Sequence, residues 1–223
     1  MQTSPEGLVC VGGRLSVDML LDAYRHGIFP WPQGDDGPMM WWSLDPRAIL
    51  PLDGMHISRR LARTLRTGRF QATCNAAFSR VIRHCSQGPG REGGTWITPE
   101  MQAAYMQLHE LGYAHSVESW CAGKFAGGIY GIRLGDKFFG ESMVTRLTGG
   151  SKAAITALIH LCQLEGIDLL DCQVSSPHLE TLGMTEISRP DFLRRLQGLS
   201  SEELPFTADC ADGECHAADF LGE

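Results

Sequence analysis

Apolar positions along the chain change their period at identifiable points, and each change predicts an element. Ser16 opens a stretch of helical spacing that runs to His26, with Gly27 as its stop. Gln33 to Met40 is turn-rich, and Trp41 to Leu52 reads as extended, broken by Pro46 and Pro51. Ser58 begins a short arginine-rich helix that Gly68 ends. Asn75 to Ser86 puts Phe78, Val81, Ile82 and Cys85 on one helical stripe. Thr98-Pro99-Glu100 is a helix start, with a cap, a proline in the first turn and an acid near the positive end; that helix runs to Leu111 and stops at Gly112. Three strand-like runs follow, His115 to Trp120, Phe125 to Leu134 and Lys137 to Met143. Ser151 then caps a helix to Leu164, and Ile167 to Val174 is a strand. Ser176-Pro177 opens a short helix, and Pro190 to Leu196 is the last. Helix, helix, three adjacent strands, helix, strand is an α+β pattern. It divides into a small N-terminal subdomain over 1–53, a larger domain over 54–199, and an acidic tail over 200–223 whose composition favours poor order.

The strand Ile167 to Ser175 carries the clearest chemical signal. Strand side chains alternate, so Asp171 and Gln173 share one face while Leu170 and Cys172 share the other. A strand this apolar is covered on both faces, and a carboxylate there is costly unless bonded or paired. One reading is a structural aspartate that satisfies loop N–H groups. The other, favoured by the paired Gln and the polar S-S-P-H turn behind it, is a site. Glu141, in F-F-G-E-S-M, ends another strand-like run beside Gly140.

Charge adds a second surface. The formal net charge of −7 argues against a broad nucleic-acid interface, but the average conceals a segregation. His56 to Arg91 holds eight arginines and no acid, including Arg59, Arg60, Arg63 and Arg66, whereas Glu202 to Glu223 holds seven acids and no Lys or Arg. The first segment is a candidate phosphate contact and the tail is not. The alternative is two solvated faces of opposite sign.

No apolar run reaches the roughly 20 residues that span a bilayer, and no basic-then-apolar leader is visible, so a cytoplasmic protein is expected. The eight cysteines form no C-x-x-C, and Cys210 and Cys215-His216 lack a second ligand pair, so thiols are expected rather than disulfides or zinc. Arg146 to Ser151, R-L-T-G-G-S, nearly fits the R-x-x-G-x-G/A turn that holds the coenzyme A pyrophosphate; alone it would support an N-acetyltransferase. The arginine segment alone would support a non-catalytic RNA-binding module.

Several longer motifs occur in a fixed order: G-I-F-P-W-P (Gly27 to Pro32), W-W-S-L-D-P-R-A (Trp41 to Ala48), H-I-S-R-R-L (His56 to Leu61), G-T-W-I-T-P-E-M (Gly94 to Met101), L-H-E-L-G-Y-A-H-S-V-E (Leu108 to Glu118) and G-G-I-Y-G (Gly127 to Gly131). With F-F-G-E-S-M and I-D-L-L-D-C-Q-V-S they resemble the leucyl/phenylalanyl-tRNA–protein transferases from about Gly7 to about Phe192. The resemblance implies an acyl-CoA N-acyltransferase-like (GNAT-like) larger domain. It implies aminolysis: an acceptor amine attacks the ester joining Leu or Phe, with Met a third substrate, to the terminal adenosine of tRNA. The acceptor is the N-terminal Arg or Lys of a protein, which is thereby marked for degradation.

An ester is already activated, so orientation and removal of one proton are what the site must supply, without a cofactor. On this resemblance Asp171 polarises Gln173, Glu141 holds a cationic amino group, and Tyr24, Trp31 and Trp96 lie near the adenosine. Trp41 and Trp42, adjacent on one strand, cannot both face one ligand and are assigned to packing. Ile129, Phe138, Ile155 and Leu170 wall an apolar pocket whose floor Gly140 keeps open. A monomer with no membrane contact is expected.

Overall fold

The computed structural model describes residues 3–32, 37–87, 95–199 and 206, and the backbone of 215–216. The N-terminal part contains β1 (Leu8–Val11), α1 (Val17–Arg25), β2 (Phe29–Pro30), β3 (Met40–Trp42) and β4 (Arg47–Leu50). Next come α2 (Arg59–Arg66), β5 (Gln71–Cys74), α3 (Phe78–Ser86) and α4 (Pro99–Glu110). The long strands β6 (Ala114–Cys121), β7 (Lys124–Leu134) and β8 (Lys137–Thr145) precede α5 (Gly150–Leu164) and β9 (Leu169–Gln173). The chain continues through α6 (Pro177–Glu180), β10 (Thr185–Ile187), α7 (Arg189–Arg195) and β11 (Cys215–His216).

One eight-stranded sheet runs in the order β10-β4-β9-β8-β7-β6-β5-β11, and β1-β3-β2 form a small sheet of their own. Every pair in the large sheet is antiparallel except β8 with β9, which the α5 crossover joins in parallel. The central strands β7, β8 and β9 bury side chains on both faces because both faces are covered. Ile129, Phe138 and Leu170 enter one core with α5, while their neighbours Tyr130, Phe139 and Leu169 enter another with α1, α3 and α4. Helix α5 packs against β7 at backbone distance: a Cβ on Gly150 would stand 2.0 Å from the Ala126 carbonyl oxygen.

Leu20, Tyr24, Phe29 and Trp41 share their core with Tyr130 and Phe139 of the large sheet. The expected boundary at residue 53 therefore follows a strand, β4, already inserted between β10 and β9, and the core is continuous across it. Two expected helix starts change. The α5 helix is capped by Gly149 in the left-handed conformation at φ +92°, not by Ser151, whose hydroxyl instead accepts from Thr145 at 2.5 Å. Helix α3 starts at Phe78 because Asn75, at φ +58°, still belongs to the turn after β5. Short polar strands carry little period-2 signal, which is why β5 and β10 escape a sequence reading.

Most of the acidic tail lies outside the described residues. Cys215 and His216 pair with Ala72 and Gln71 at the edge of the large sheet. Phe206 packs with its ring 4.8 Å from His115 and 5.9 Å from Phe138, with the Arg133 guanidinium 5.1 Å over its face. Among the described residues, no helix is long and apolar enough to cross a membrane.

Candidate active site

Strands β8 and β9 pair over three positions only, Lys137, Phe138 and Phe139 against Leu169, Leu170 and Asp171. Beyond them β8 stays with β7, β9 stays with β4, and a cleft opens between. The carboxyl ends of diverging parallel strands are where open sheets hold ligands. Each departing strand carries a β-bulge at this level. Gly140 and Ser142 pair with Gly131 and Tyr130, leaving Glu141 as the extra residue. Asp171 and Gln173 pair with Ile49 and Ala48, leaving Cys172 as the extra residue. Bulges re-aim side chains, and both Glu141 and Cys172 line the cleft.

Asp171 lies beneath the cleft, fully buried. Arg47 Nε donates to its Oδ1 at 2.8 Å and Arg47 Nη2 to its Oδ2 at 2.7 Å. The backbone N–H of Gln173 donates to Oδ1 at 3.0 Å, and the Gln173 side-chain amide donates to Oδ2 at 3.3 Å. Arg47 also donates to the Gly27 carbonyl at 3.1 Å and lies between the rings of Phe29 and Phe192. The expected Asp171–Gln173 contact thus forms, but by a different route from simple alternation. The bulge at Cys172 and a left-handed Gln173 at φ +56° fold the amide back onto the carboxylate. With its NH₂ group tied to Asp171, Gln173 offers its carbonyl oxygen to a ligand.

Glu141 accepts from Tyr24 Oη at 2.6 Å and from Tyr105 Oη at 2.7 Å, and the two tyrosine hydroxyls are themselves 2.6 Å apart. Glu141 is partly exposed and lines both lobes of the cleft, while the protein packed around it strips water from its carboxylate. That burial is the largest influence on it; the nearby Asp171 charge adds to it, the two tyrosine hydrogen bonds and Arg47 oppose it, and its pKa is pushed up to about 7. The same burial and the Glu141 charge hold both tyrosines well above their usual range.

The cleft has two lobes that share Trp96, Glu141 and Cys172. The smaller, about 170 Å³, is lined by Phe29, Trp31, Trp96 and Gln173. The larger, about 320 Å³, is walled by Ile129, Gly140, Met143, Ile155, Leu170 and Leu179, with Ser142, Ser176 and His178 as its polar members. Four of the five expected pocket residues therefore meet here. Phe138 does not: it is buried behind the wall, in one core with Ile129, Ile155 and Leu170. Trp31 and Trp96 flank the smaller lobe, with Trp31 38 % exposed. Tyr24 is completely buried, so its ring offers no face for a base to stack on. Trp41 is packed in the core, as expected.

Arg59, Arg60, Arg63 and Arg66 lie on α2, whose Leu61 and Leu65 face inward. Arg60 and Arg69 share a separate cavity of about 370 Å³ with Thr148, Gly149 and Lys152, so the arginine helix and the R-L-T-G-G-S turn form one basic face. In the sequence they stand far apart and give two unrelated signals. Arg47 is the residue that sequence reasoning misses, although a cation inside the apolar run R-A-I-L has to find a buried anion. Tyr105 gives no signal beyond its place on the buried stripe of α4.

Comparison with known proteins places this chain in a class. The family description "Leucyl/phenylalanyl-tRNA protein transferase" matches residues 49–197, and that of the family's N-terminal domain matches 13–45. A leucyl/phenylalanyl-tRNA–protein transferase of Azoarcus sp. (strain BH72) is 47% identical over 203 residues, covering 91% of this chain and 86% of that protein. One from Syntrophotalea carbinolica is 50% identical over 204 residues, covering 90% and 88%. Among solved structures, similarity extends to L-PGS from Bacillus licheniformis (TM-score 0.40, 13% identity, 72% of this chain and 51% of that one). It also extends to a ribosomal-protein-alanine N-acetyltransferase from Brucella melitensis biovar Abortus 2308 (TM-score 0.34, 14% identity, 60% and 94%). The protein is a transferase. It belongs to the leucyl/phenylalanyl-tRNA–protein transferase family, to which its motifs pointed.

Proposed function

We propose that the protein moves Leu or Phe, and also Met, from aminoacyl-tRNA to the N-terminal Arg or Lys of acceptor proteins, marking them for degradation by an N-terminal-residue rule. The observation that carries this reading is the two-lobed cleft with Glu141 at its junction. An apolar recess for a side chain adjoins a tryptophan-flanked recess for a nucleoside, and the acid that can meet an amino group lies between them. The terminal adenosine stacks on Trp31 and Trp96, a contact typically contributing about 1–3 kcal/mol per base. The transferred side chain enters the larger lobe over Gly140. Gln173, held by Asp171 and Arg47, presents its amide oxygen to the attacking amine and orients it. Asp171 acts through Gln173 and is a positioning residue. Phosphates of the tRNA meet Arg59, Arg60, Arg63 and Arg66.

The arrangement of antiparallel β6-β7-β8, crossover helix α5 and parallel β9 supports a GNAT-like larger domain. The enzyme works as a cytoplasmic monomer without a cofactor. Incubation with radiolabelled Leu-tRNA and an Arg-initiated peptide tests the reading: label should appear in the peptide. Label that stays on tRNA, with Lys- and Arg-initiated acceptors alike, would refute it.

A further inference from the structure

We propose that Glu141, Tyr24 and Tyr105 form a proton-holding ring in which Glu141 is the general base for the attacking amine, with the two tyrosines as positioning residues. The argument is a count of protons. Three oxygen–oxygen contacts of 2.6, 2.6 and 2.7 Å link the three groups. Each tyrosine hydroxyl carries one proton and an ionised carboxylate carries none, so two protons serve three contacts. If both tyrosines donate to Glu141, their own 2.6 Å contact holds no hydrogen. A protonated Glu141 supplies the third. Glu141 then donates to one tyrosine, that tyrosine to the other, and the second back to the free carboxyl oxygen, and every contact is a hydrogen bond. The geometry therefore accommodates a carboxylic acid fully and a carboxylate with one contact unfilled, which is the arrangement of a group that takes up and returns a proton.

The surroundings agree. Tyr24 faces Glu141 from α1, Tyr105 from α4, and the charges of Asp171 from β9 and Arg47 from β4 act on it with opposite signs. Tyr130 of β7 packs edge-on against Tyr105. The resulting pKa near neutrality matches what a general base needs. The alternative acceptor in the cleft, the Gln173 amide oxygen, is far too weak a base and serves orientation.

This step rests on the proposed aminoacyl transfer. The amine nitrogen forms a bond to the ester carbonyl carbon and loses one proton to the Glu141 carboxylate. The bond from that carbon to the ribose oxygen breaks with its electron pair on oxygen, and the proton held in the ring passes to that oxygen. Glu141 ends as it began.

Two measurements test it. Infrared difference spectra of the free protein across pH 5.5 to 8.5 should show a carboxylic-acid carbonyl band that titrates near neutrality and is absent in Glu141→Gln; no such band would overturn the ring whether or not the protein transfers Leu. Rates of Leu transfer to one Arg-initiated peptide should fall about 10²–10⁴-fold in Glu141→Gln, with KM for the peptide little changed. In Tyr105→Phe, losing a hydrogen bond that favours the carboxylate should move the acid limb of kcat/KM to higher pH by about one unit. Tyr105→Phe with a slower rate but an unmoved limb, or Glu141→Gln within twofold of the wild type, would overturn the role of general base. If only KM for the peptide rises in Glu141→Gln, the residue holds an ammonium group and the inference fails. If the wild-type protein moves no label, the transferase reading fails, and the infrared band alone decides on the ring.

Discussion

Arg47 and Asp171, separated by 124 positions in the chain, close a two-pronged ion pair beneath the cleft, and each is at most 1 % exposed at its side chain. The pair joins β4 to β9, and through the Gly27 carbonyl and the Phe29 and Phe192 rings it also gathers the end of α1 and helix α7. Removing one partner strands the other charge in the interior. Arg47→Ala should destabilise the fold by about 3–5 kcal/mol, and Arg47→Lys by less, since it keeps the charge but loses the planar fork. Asp171→Ala should destabilise likewise, so its effect on transfer has to be read beside its unfolding curve. Gln173→Ala removes no buried charge: transfer should fall about 10²-fold through lost orientation, with the urea midpoint nearly unchanged. A Gln173→Ala variant that transfers normally would remove the amide from the reaction.

Gly140 tests the apolar lobe. A Cβ there would meet the Asp171 carbonyl oxygen at 3.4 Å, Leu170 Cδ1 at 3.7 Å and Ile129 Cδ1 at 4.0 Å, all ordinary contact distances. Gly140→Ala should therefore fold normally while narrowing the lobe, lowering transfer of Phe more than that of Leu. The wild-type lobe should reject Ile and Val, which carry two heavy atoms at Cβ. Competition among Leu-, Phe-, Ile- and Val-charged tRNA for one peptide measures both. Equal losses for Phe and Leu, or Ile transfer equal to Leu transfer, would contradict this pocket.

Glu141 links the site to stability. Its pKa is raised from 4.5 to about 7 on folding, so the folded protein holds a proton that the unfolded chain releases earlier. The stabilisation from that proton is fully present below about pH 4.5 and is lost as pH rises through about 7. Glu141→Gln, which keeps a neutral polar group at all pH values, should gain on the wild type in Tm between pH 5 and pH 8, by several degrees at most. Parallel Tm profiles for the two proteins would show that the carboxyl is not perturbed by folding.

The basic face should act through charge count. Each phosphate that a protein cation neutralises adds about 0.9 to the steepness of log K against log salt on duplex nucleic acid. Arg59→Ala/Arg63→Ala should therefore weaken tRNA binding and flatten its salt dependence by about one to two units. An unchanged slope would move the tRNA footprint off α2.

The helices are legible in the sequence because capping chemistry is local. Ser16, Ser58, Thr98, Ser176 and Ser188 each accept from the N–H of the residue three positions on. All but Ser188 stand out as helix starts; the last helix begins one residue earlier than its proline suggests. The long strands are legible through composition. The candidate cleft is legible in its members but not in its geometry. Alternation pairs Asp171 with Gln173, yet the two meet because alternation breaks at Cys172. The family resemblance puts Tyr24 at the adenosine, and only the three-dimensional packing of α1 against α4 shows its hydroxyl on Glu141 instead. Arg47 finds its anion 124 positions away, far outside any local window, so no short-range pattern could supply it.

The two bulges have an evolutionary consequence. Glu141 and Cys172 are surplus to the ladders of β8 and β9, and pairing resumes on either side of each. Substitution at an inserted position leaves the inter-strand register intact, whereas substitution at a neighbour such as Gly131, where a Cβ would stand 2.2 Å from the Phe139 carbonyl oxygen, does not. The sheet thereby separates positions free to vary in chemistry from positions bound to architecture. A lineage could trade the thiol at 172 for another group, or the acid at 141 for one that still satisfies Tyr24 and Tyr105, and explore a different acceptor or leaving group, without first having to rebuild the strand ladder.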